Sequence, residues 1–163
     1  MSMPARAAAL IAELGLSAHP EGGWYREVFK SERPVGTLDD RQQRRALTTI
    51  DFLLAAQDFS AWHRVQSDEV WHLLEGGPLR LWLCPPGLQE VLRVDLDAVG
   101  AGKAPRHVVP AGWWQAAEPL APYAYVGATV GPGFDFADFS FGRDDAGLVA
   151  MLTARDPQAL RLL

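Results

Sequence analysis

Between Trp24 and about Val130 the chain is a succession of short extended segments with no helix to connect them, and this restricts the fold more than any other property of the sequence. The segments fall at 24–30, 47–55, 60–65, 69–74, 79–83, 90–96, 107–109 and 123–130, separated by Pro, Gly, Asp and Ser. Aromatic and β-branched residues are frequent in them, and such side chains suit a pleated, half-buried surface. In Leu79-Arg80-Leu81-Trp82-Leu83 the leucines recur at every second residue and so share one strand face. Parallel strands would need crossover helices, and none is visible. The pattern predicts an all-β domain: a sandwich, jelly roll or small barrel.

Helical texture is confined to the two ends. Ala7, Leu10, Ile11 and Leu14 stand at helical spacing, with Pro4 suited to a first turn and Gly15 to a stop. Towards the C-terminus Asp144 or Asp145 can cap a helix through Leu152, and Pro157 can open another reaching Leu162. With 163 residues and no internal repeat, low-complexity tract or linker, the chain is expected to form one domain, residues 1–163, around a β core at about 20–140.

The formal net charge is -5, and no cluster of Lys and Arg is dense enough to follow a phosphate backbone, so nucleic acid is not an expected partner. The densest basic run, Arg41-Gln42-Gln43-Arg44-Arg45, lies beside Asp39 and Asp40 and reads as a solvated loop. A lone cysteine, Cys84, excludes an intrachain disulfide and the usual thiolate zinc sites; at the end of an apolar run it reads as a small buried hydrophobe. That usage fits a cytoplasmic location. The Ala-rich start is interrupted by Glu13, too short to span a membrane and without a signal-peptide pattern.

Two blocks carry the chemistry. The first is His63-Arg64-Val65-Gln66-Ser67-Asp68-Glu69, followed by Gly76; the second is Pro110-Ala111-Gly112-Trp113-Trp114-Gln115. Together they resemble the two motifs of the cupin superfamily, His-x-His with a following Glu and Gly, and Pro-x-Gly-x-x-His. Val65 stands where the second His belongs, and Gln115 replaces the last His. Pro20-Glu21-Gly22-Gly23-Trp24-Tyr25-Arg26-Glu27, Ser67-Asp68-Glu69-Val70-Trp71-His72 and the run from Gly131 to Phe139 resemble the signature blocks of a small single-domain branch, cupin-five, whose function is unassigned. The resemblance implies a double-stranded β-helix, the cupin jelly roll shared with sugar epimerases, and a homodimer. One fold hosts many reactions, so it does not supply a chemistry.

Metal-binding cupins take three His and one Glu, as the resemblance implies. Here His63, Glu69 and Gln115 would be the ligands, a weak set because a neutral amide is a poor donor beside imidazole and carboxylate. His72 faces away from Glu69 on a regular strand and could join only through a bulge. No cofactor is therefore expected, with a divalent metal as the alternative. A metal-free site has its own chemistry. An imidazole beside a carboxylate can act as a general base, which makes His63 the candidate base, Glu69 its partner or the acid, and Tyr125 (or Tyr123 on the same strand face) the opposing acid. Gln115 offers a donor and an acceptor, Trp71 an aromatic platform, Arg26 an anion clamp and Asp135 a polar group at the barrel mouth.

Each has a bland counterpart. Trp71 is equally a core residue, Phe134, Phe136 and Phe139 are packing residues, and His19 and His107 are structural or exposed. Of Arg26 and Glu27, on opposite strand faces, one is a surface charge and the other a pocket charge. The leading functional expectation is a small-molecule epimerase or isomerase acting on a sugar-like ligand. The alternatives are a metal-dependent cupin enzyme and a binding protein without catalysis.

Overall fold

The computed structural model describes residues 2–163. Helix α1 (Ala5–Leu14) is followed by strands β1 (Ser17–Ala18), β2 (Trp24–Lys30), β3 (Pro34–Val35), β4 (Arg44–Arg45), β5 (Thr48–Ala55), β6 (Ser60–Val65) and β7 (Asp68–Gly76). After these come β8 (Leu79–Cys84), β9 (Leu92–Leu96), β10 (Arg106–Val109), β11 (Trp114–Pro119), β12 (Tyr123–Gly131) and β13 (Phe139–Phe141), then helices α2 (Ala146–Arg155) and α3 (Pro157–Leu160). Every predicted strand is present, with ends shifted by at most two residues. β11, which carries Gln115, is an addition that the sequence pattern did not reveal.

Two antiparallel sheets face each other in the order β1-β2-β5-β12-β7-β10 and β13-β6-β11-β8-β9, with β3 and β4 forming a separate ribbon. This is the expected jelly roll. Side-chain alternation then divides each strand between two environments. Leu79, Leu81 and Leu83 of β8 point into the space between the sheets, where they meet Phe52, Leu54, Trp71, Val109 and Val126. Trp82 and Cys84, on the opposite face, join Trp62, Trp114 and residues of α2 and α3 in a second core outside the barrel. A third cluster packs α1 through Ala7 and Leu10 onto Leu53 of β5.

Most helix signals act as read, although Pro4 is the N-cap of α1 and α3 stops at Leu160. Gly15 ends α1 in the left-handed conformation at φ 64°, and Asp145 caps α2 by accepting a hydrogen bond from the Leu148 amide. No described helix is long and apolar enough to cross a membrane.

The basic run at 41–45 is solvated at Gln42, Gln43 and Arg45 but not at Arg41 and Arg44. Asp138, 4% exposed, accepts hydrogen bonds from Arg41 at 3.1 Å and from Arg44 at 2.8 and 2.9 Å. These arginines tie the segment ahead of β5 to the turn ahead of β13. In the Gly131-Pro132-Gly133 turn neither glycine has a positive φ. Gly133 is required for close approach instead, since a Cβ there would stand 2.9 Å from the Arg45 carbonyl oxygen.

Candidate functional site

The lower part of the barrel is filled by leucine and Trp71, while its other end holds a cavity of about 120 Å³. β6 and β7 supply the two central groups. His63 sits between Ala61 and Val65 on the inward face of β6, and Glu69 begins the inward face of β7. Both are buried and both line the cavity. The His63 Nδ1 lies 2.7 Å from the Ala61 carbonyl oxygen. A carbonyl only accepts, so Nδ1 carries the proton and neutral His63 has its basic lone pair on Nε2. Nε2 has no hydrogen-bond partner among the described residues. The ring stacks against Phe139, with centroids 5.3 Å apart and 15° between planes.

Glu21 is a further carboxylate that sequence reasoning did not place here. It comes from the turn between β1 and β2, and enters the barrel end because Gly22 takes φ 109°. A Cβ on Gly22 would fall 2.0 Å from the Phe59 carbonyl oxygen, so this turn can lie against the chain ahead of β6 only with glycine. Glu21 then accepts a hydrogen bond from the Ser60 hydroxyl at 2.8 Å, and its other oxygen lies 3.4 Å from His63 Nδ1. His19, from the same turn, also lines the cavity; it accepts the Glu21 amide on Nδ1, a structural role, and meets Tyr25 edge to face.

Burial sets the protonation of this group. It pushes the Glu21 carboxyl up to about 8, outweighing the Ser60 hydrogen bond. It pushes Glu69 up to about 7; Glu21 adds to the rise, while His63 and the Gln115 hydrogen bond oppose it. The same desolvation lowers the imidazoles. His63 falls below its ordinary value although Glu69 draws it back, and His19 falls to about 4. Near neutral pH the cavity therefore holds a neutral imidazole beside carboxyl groups that retain or exchange protons. Such a pairing can give a proton and take one at the same locus.

The other candidates named from the sequence lie elsewhere. Gln115 faces His63 across β6 and β11 but sits behind the cavity wall. Its Nε2 donates to Glu69 at 2.6 Å and its Oε1 accepts from the Trp71 indole at 2.8 Å. The indole can only donate, so this amide orientation is chemically fixed and points the nitrogen, not the oxygen, at Glu69. Trp71 is a fully buried core residue rather than a platform, because strand alternation specifies its face but not its depth.

Tyr125 points outward, donating to Asp51 at 2.8 Å, and burial followed by that bond pushes its phenol up to about 12. It cannot be the opposing acid. Tyr123 likewise faces out and donates to Glu75. Arg26 pairs with Asp51 at 3.0 Å on the same outer surface, which leaves Glu27 as the pocket charge at the mouth. Asp135 is exposed and caps a short turn through the Ala137 amide; the buried acid of that segment is Asp138. Phe134, Phe136 and Phe139, read as packing residues, form one wall of the cavity.

Residues 8–142 match the family described as Cupin superfamily (DUF985). The chain belongs to this family. Among solved structures, this cupin is similar to a hypothetical protein from Leishmania major, with 32% identity and a TM-score of 0.80 over 96% of this chain and 95% of that one. It is similar also to a protein from Shewanella oneidensis, with 30% identity and a TM-score of 0.82 over 96% of both chains. An oxalate decarboxylase from Bacillus subtilis shares the fold at 16% identity and a TM-score of 0.54, over 76% of this chain and 29% of that one. No curated protein matches the chain.

The metal set implied by the superfamily does not fit these residues. Val65 and Gln115 occupy two of the three His positions, Val65 is apolar, and the Gln115 oxygen is turned to Trp71. His72 lies on the outward face of β7, opposite Gly127 and Arg106. Among the described residues no group of three or more His, Cys, Asp and Glu is arranged to hold a metal ion.

Proposed function

We propose that this cupin binds a small carbonyl compound at the His63 end of its barrel and moves a proton on it, as an isomerase or epimerase does. The observation that carries the reading is His63, a buried residue whose Nδ1 is held by the Ala61 carbonyl and whose unpartnered Nε2 is open to the cavity it shares with Glu69, whose proton affinity is raised to about 7. In the reaction, Nε2 removes a proton from the carbon next to the carbonyl. The C–H electron pair forms the enediol double bond, and the carbonyl oxygen takes its proton from the Glu69 carboxyl. The imidazolium then gives its proton to the former carbonyl carbon while the Glu69 carboxylate takes the proton of the other enediol hydroxyl, which gives the isomer; a solvent proton delivered to the original carbon from the opposite face, with Glu69 taking back the proton it gave and the imidazolium releasing its own to solvent, gives the epimer. Glu69 fills the part for which Tyr125 is unsuited. The Glu21 oxygen 3.4 Å from Nδ1 is placed to accept from the imidazolium formed midway, and that positive charge favours ionisation of the Glu21 carboxyl.

Size limits the substrate. A cavity of about 150 Å³ holds benzene, so this one suits a molecule of about five or six non-hydrogen atoms rather than an entire nucleotide-sugar. The test is solvent exchange in deuterium oxide, followed by proton NMR, with dihydroxyacetone, glyceraldehyde and 3-hydroxybutanone. The folded protein should accelerate exchange at the carbon next to the carbonyl, and His63→Ala should reduce the acceleration by about 10² to 10⁴. Exchange no faster than the buffer for all three compounds, or a His63→Ala variant as fast as the natural chain, would remove the reading. A non-catalytic binding role uses the same cavity and would show as saturable binding without exchange.

A further inference from the structure

The cavity is electrostatically one-sided. Glu21 and Glu69 stand at its inner end and Glu27 at its mouth, whereas no Lys or Arg among the described residues lines it. The nearby arginines are already committed: Arg41 and Arg44 to Asp138, Arg26 to Asp51. Both histidines are disposed to remain neutral, so neither offers a fixed positive charge. Phe134, Phe136 and Phe139, which also line it, form a cluster with ring centroids 5.0 to 6.2 Å apart. Aromatic faces attract cations, and more so where water is excluded. The unpartnered His63 Nε2 marks the same space as a ligand site rather than a solvated acidic patch.

We infer that this cavity selects a small organic cation, a primary ammonium on a short skeleton, and rejects carboxylates, phosphates and other anions. The ammonium sits between Glu21 and Glu69, its three N–H groups shared between their oxygens, and its carbon skeleton lies against the phenylalanine wall. Two requirements meet there: buried carboxyl groups need an opposite charge to ionise at low cost, and a desolvated ammonium needs acceptors. An anion would meet three acids and no countercharge. The inference rests on the cavity being the ligand site, which is the binding half of the proposed function, and does not depend on the proton transfer.

Calorimetric titration of the full chain at pH 8 with n-butylammonium, 1-butanol and propionate, probes matched in size, tests it. Butylammonium should bind about tenfold or more tightly than 1-butanol, and propionate should give no signal at millimolar concentration. Glu21→Gln, which keeps the shape of the side chain, should lower butylammonium affinity about tenfold and leave 1-butanol nearly unaffected. Should that variant fail to fold, Glu27→Gln at the exposed mouth should still weaken butylammonium alone. Equal or tighter binding of 1-butanol or propionate overturns the inference, as does an absence of binding by all three. Butylammonium binding without deuterium exchange on the carbonyl panel would uphold the cation site and sink the isomerase chemistry, so the two failures are distinguishable.

Discussion

Glu21 has the most measurable consequence of any single residue. Its ordinary value is 4.5 and its folded value about 8, so between these pH values the folded chain holds a proton that the unfolded chain has released. Stability from this group is complete below pH 4.5 and is lost as pH rises through 8, by up to about 1.4 kcal/mol per pH unit. Urea midpoints measured at pH 5 and pH 8 should therefore fall in the natural chain and converge in Glu21→Gln, with a residual slope of the same sign from Glu69. Parallel profiles would show that Glu21 is not buried in solution. Gln115 makes the complementary case. Gln115→Leu leaves the Trp71 indole without an acceptor and Glu69 without its donor, and should cost about 2 to 3 kcal/mol in denaturant unfolding. Elemental analysis of protein prepared without chelators should find no stoichiometric metal, since the amide oxygen faces Trp71; a metal lost on His63→Ala would refute that orientation.

At the scale of elements, what the sequence made legible was face, and what it hid was depth and approach. His63 and Glu69 were readable because their motif spacing lies on strands, where alternation sends both inward. The same alternation gave Trp71 the correct face, but its position along the barrel axis is set by neighbouring leucines and Gln115. β11 escaped notice because Gln115-Ala116-Ala117-Glu118-Pro119 has no β-branched residue; it extends because it lies between β6 and β8, which bury both alanines. The Pro20–Gly23 turn was hidden for the opposite reason. Its Pro and Gly residues mark a turn without saying where it packs, and only contact with the chain ahead of β6 turns its carboxylate inward. Gly22→Ala should therefore destabilise the fold and displace Glu21, weakening butylammonium binding together with thermal stability. The Asp138 latch also belongs to this scale. Asp138→Asn leaves Arg41 and Arg44 without their shared carboxylate and should cost about 3 kcal/mol, with proteolytic cleavage appearing first between residues 36 and 45.

For the molecule as a whole, two cores share one wall. β6, β11 and β8 present leucine, alanine, His63 and Gln115 to the barrel, and Trp62, Trp82 and Trp114 to the terminal helices. The Trp62 indole donates to the Ala159 carbonyl at 2.9 Å, and the Trp62 amide donates to the Leu162 carbonyl at 2.8 Å. Removing residues 157–163 would bare that tryptophan layer and abolish the single cooperative unfolding transition, detectable as a broadened melt with dye-binding hydrophobic surface. The sequence conveyed this general plan, a β domain with helices at both ends, because hydrophobic period and turn residues are local signals. The charge of the cavity was not local: it sums Glu21 from a turn with Glu27 and Glu69 from two separate strands of one sheet. The Gly22 turn gives that arrangement an evolutionary corollary. One of the pocket's acids is carried on a peripheral segment instead of a barrel strand, so descendants could exchange it and retune ligand preference while the framework that folds the chain stays untouched.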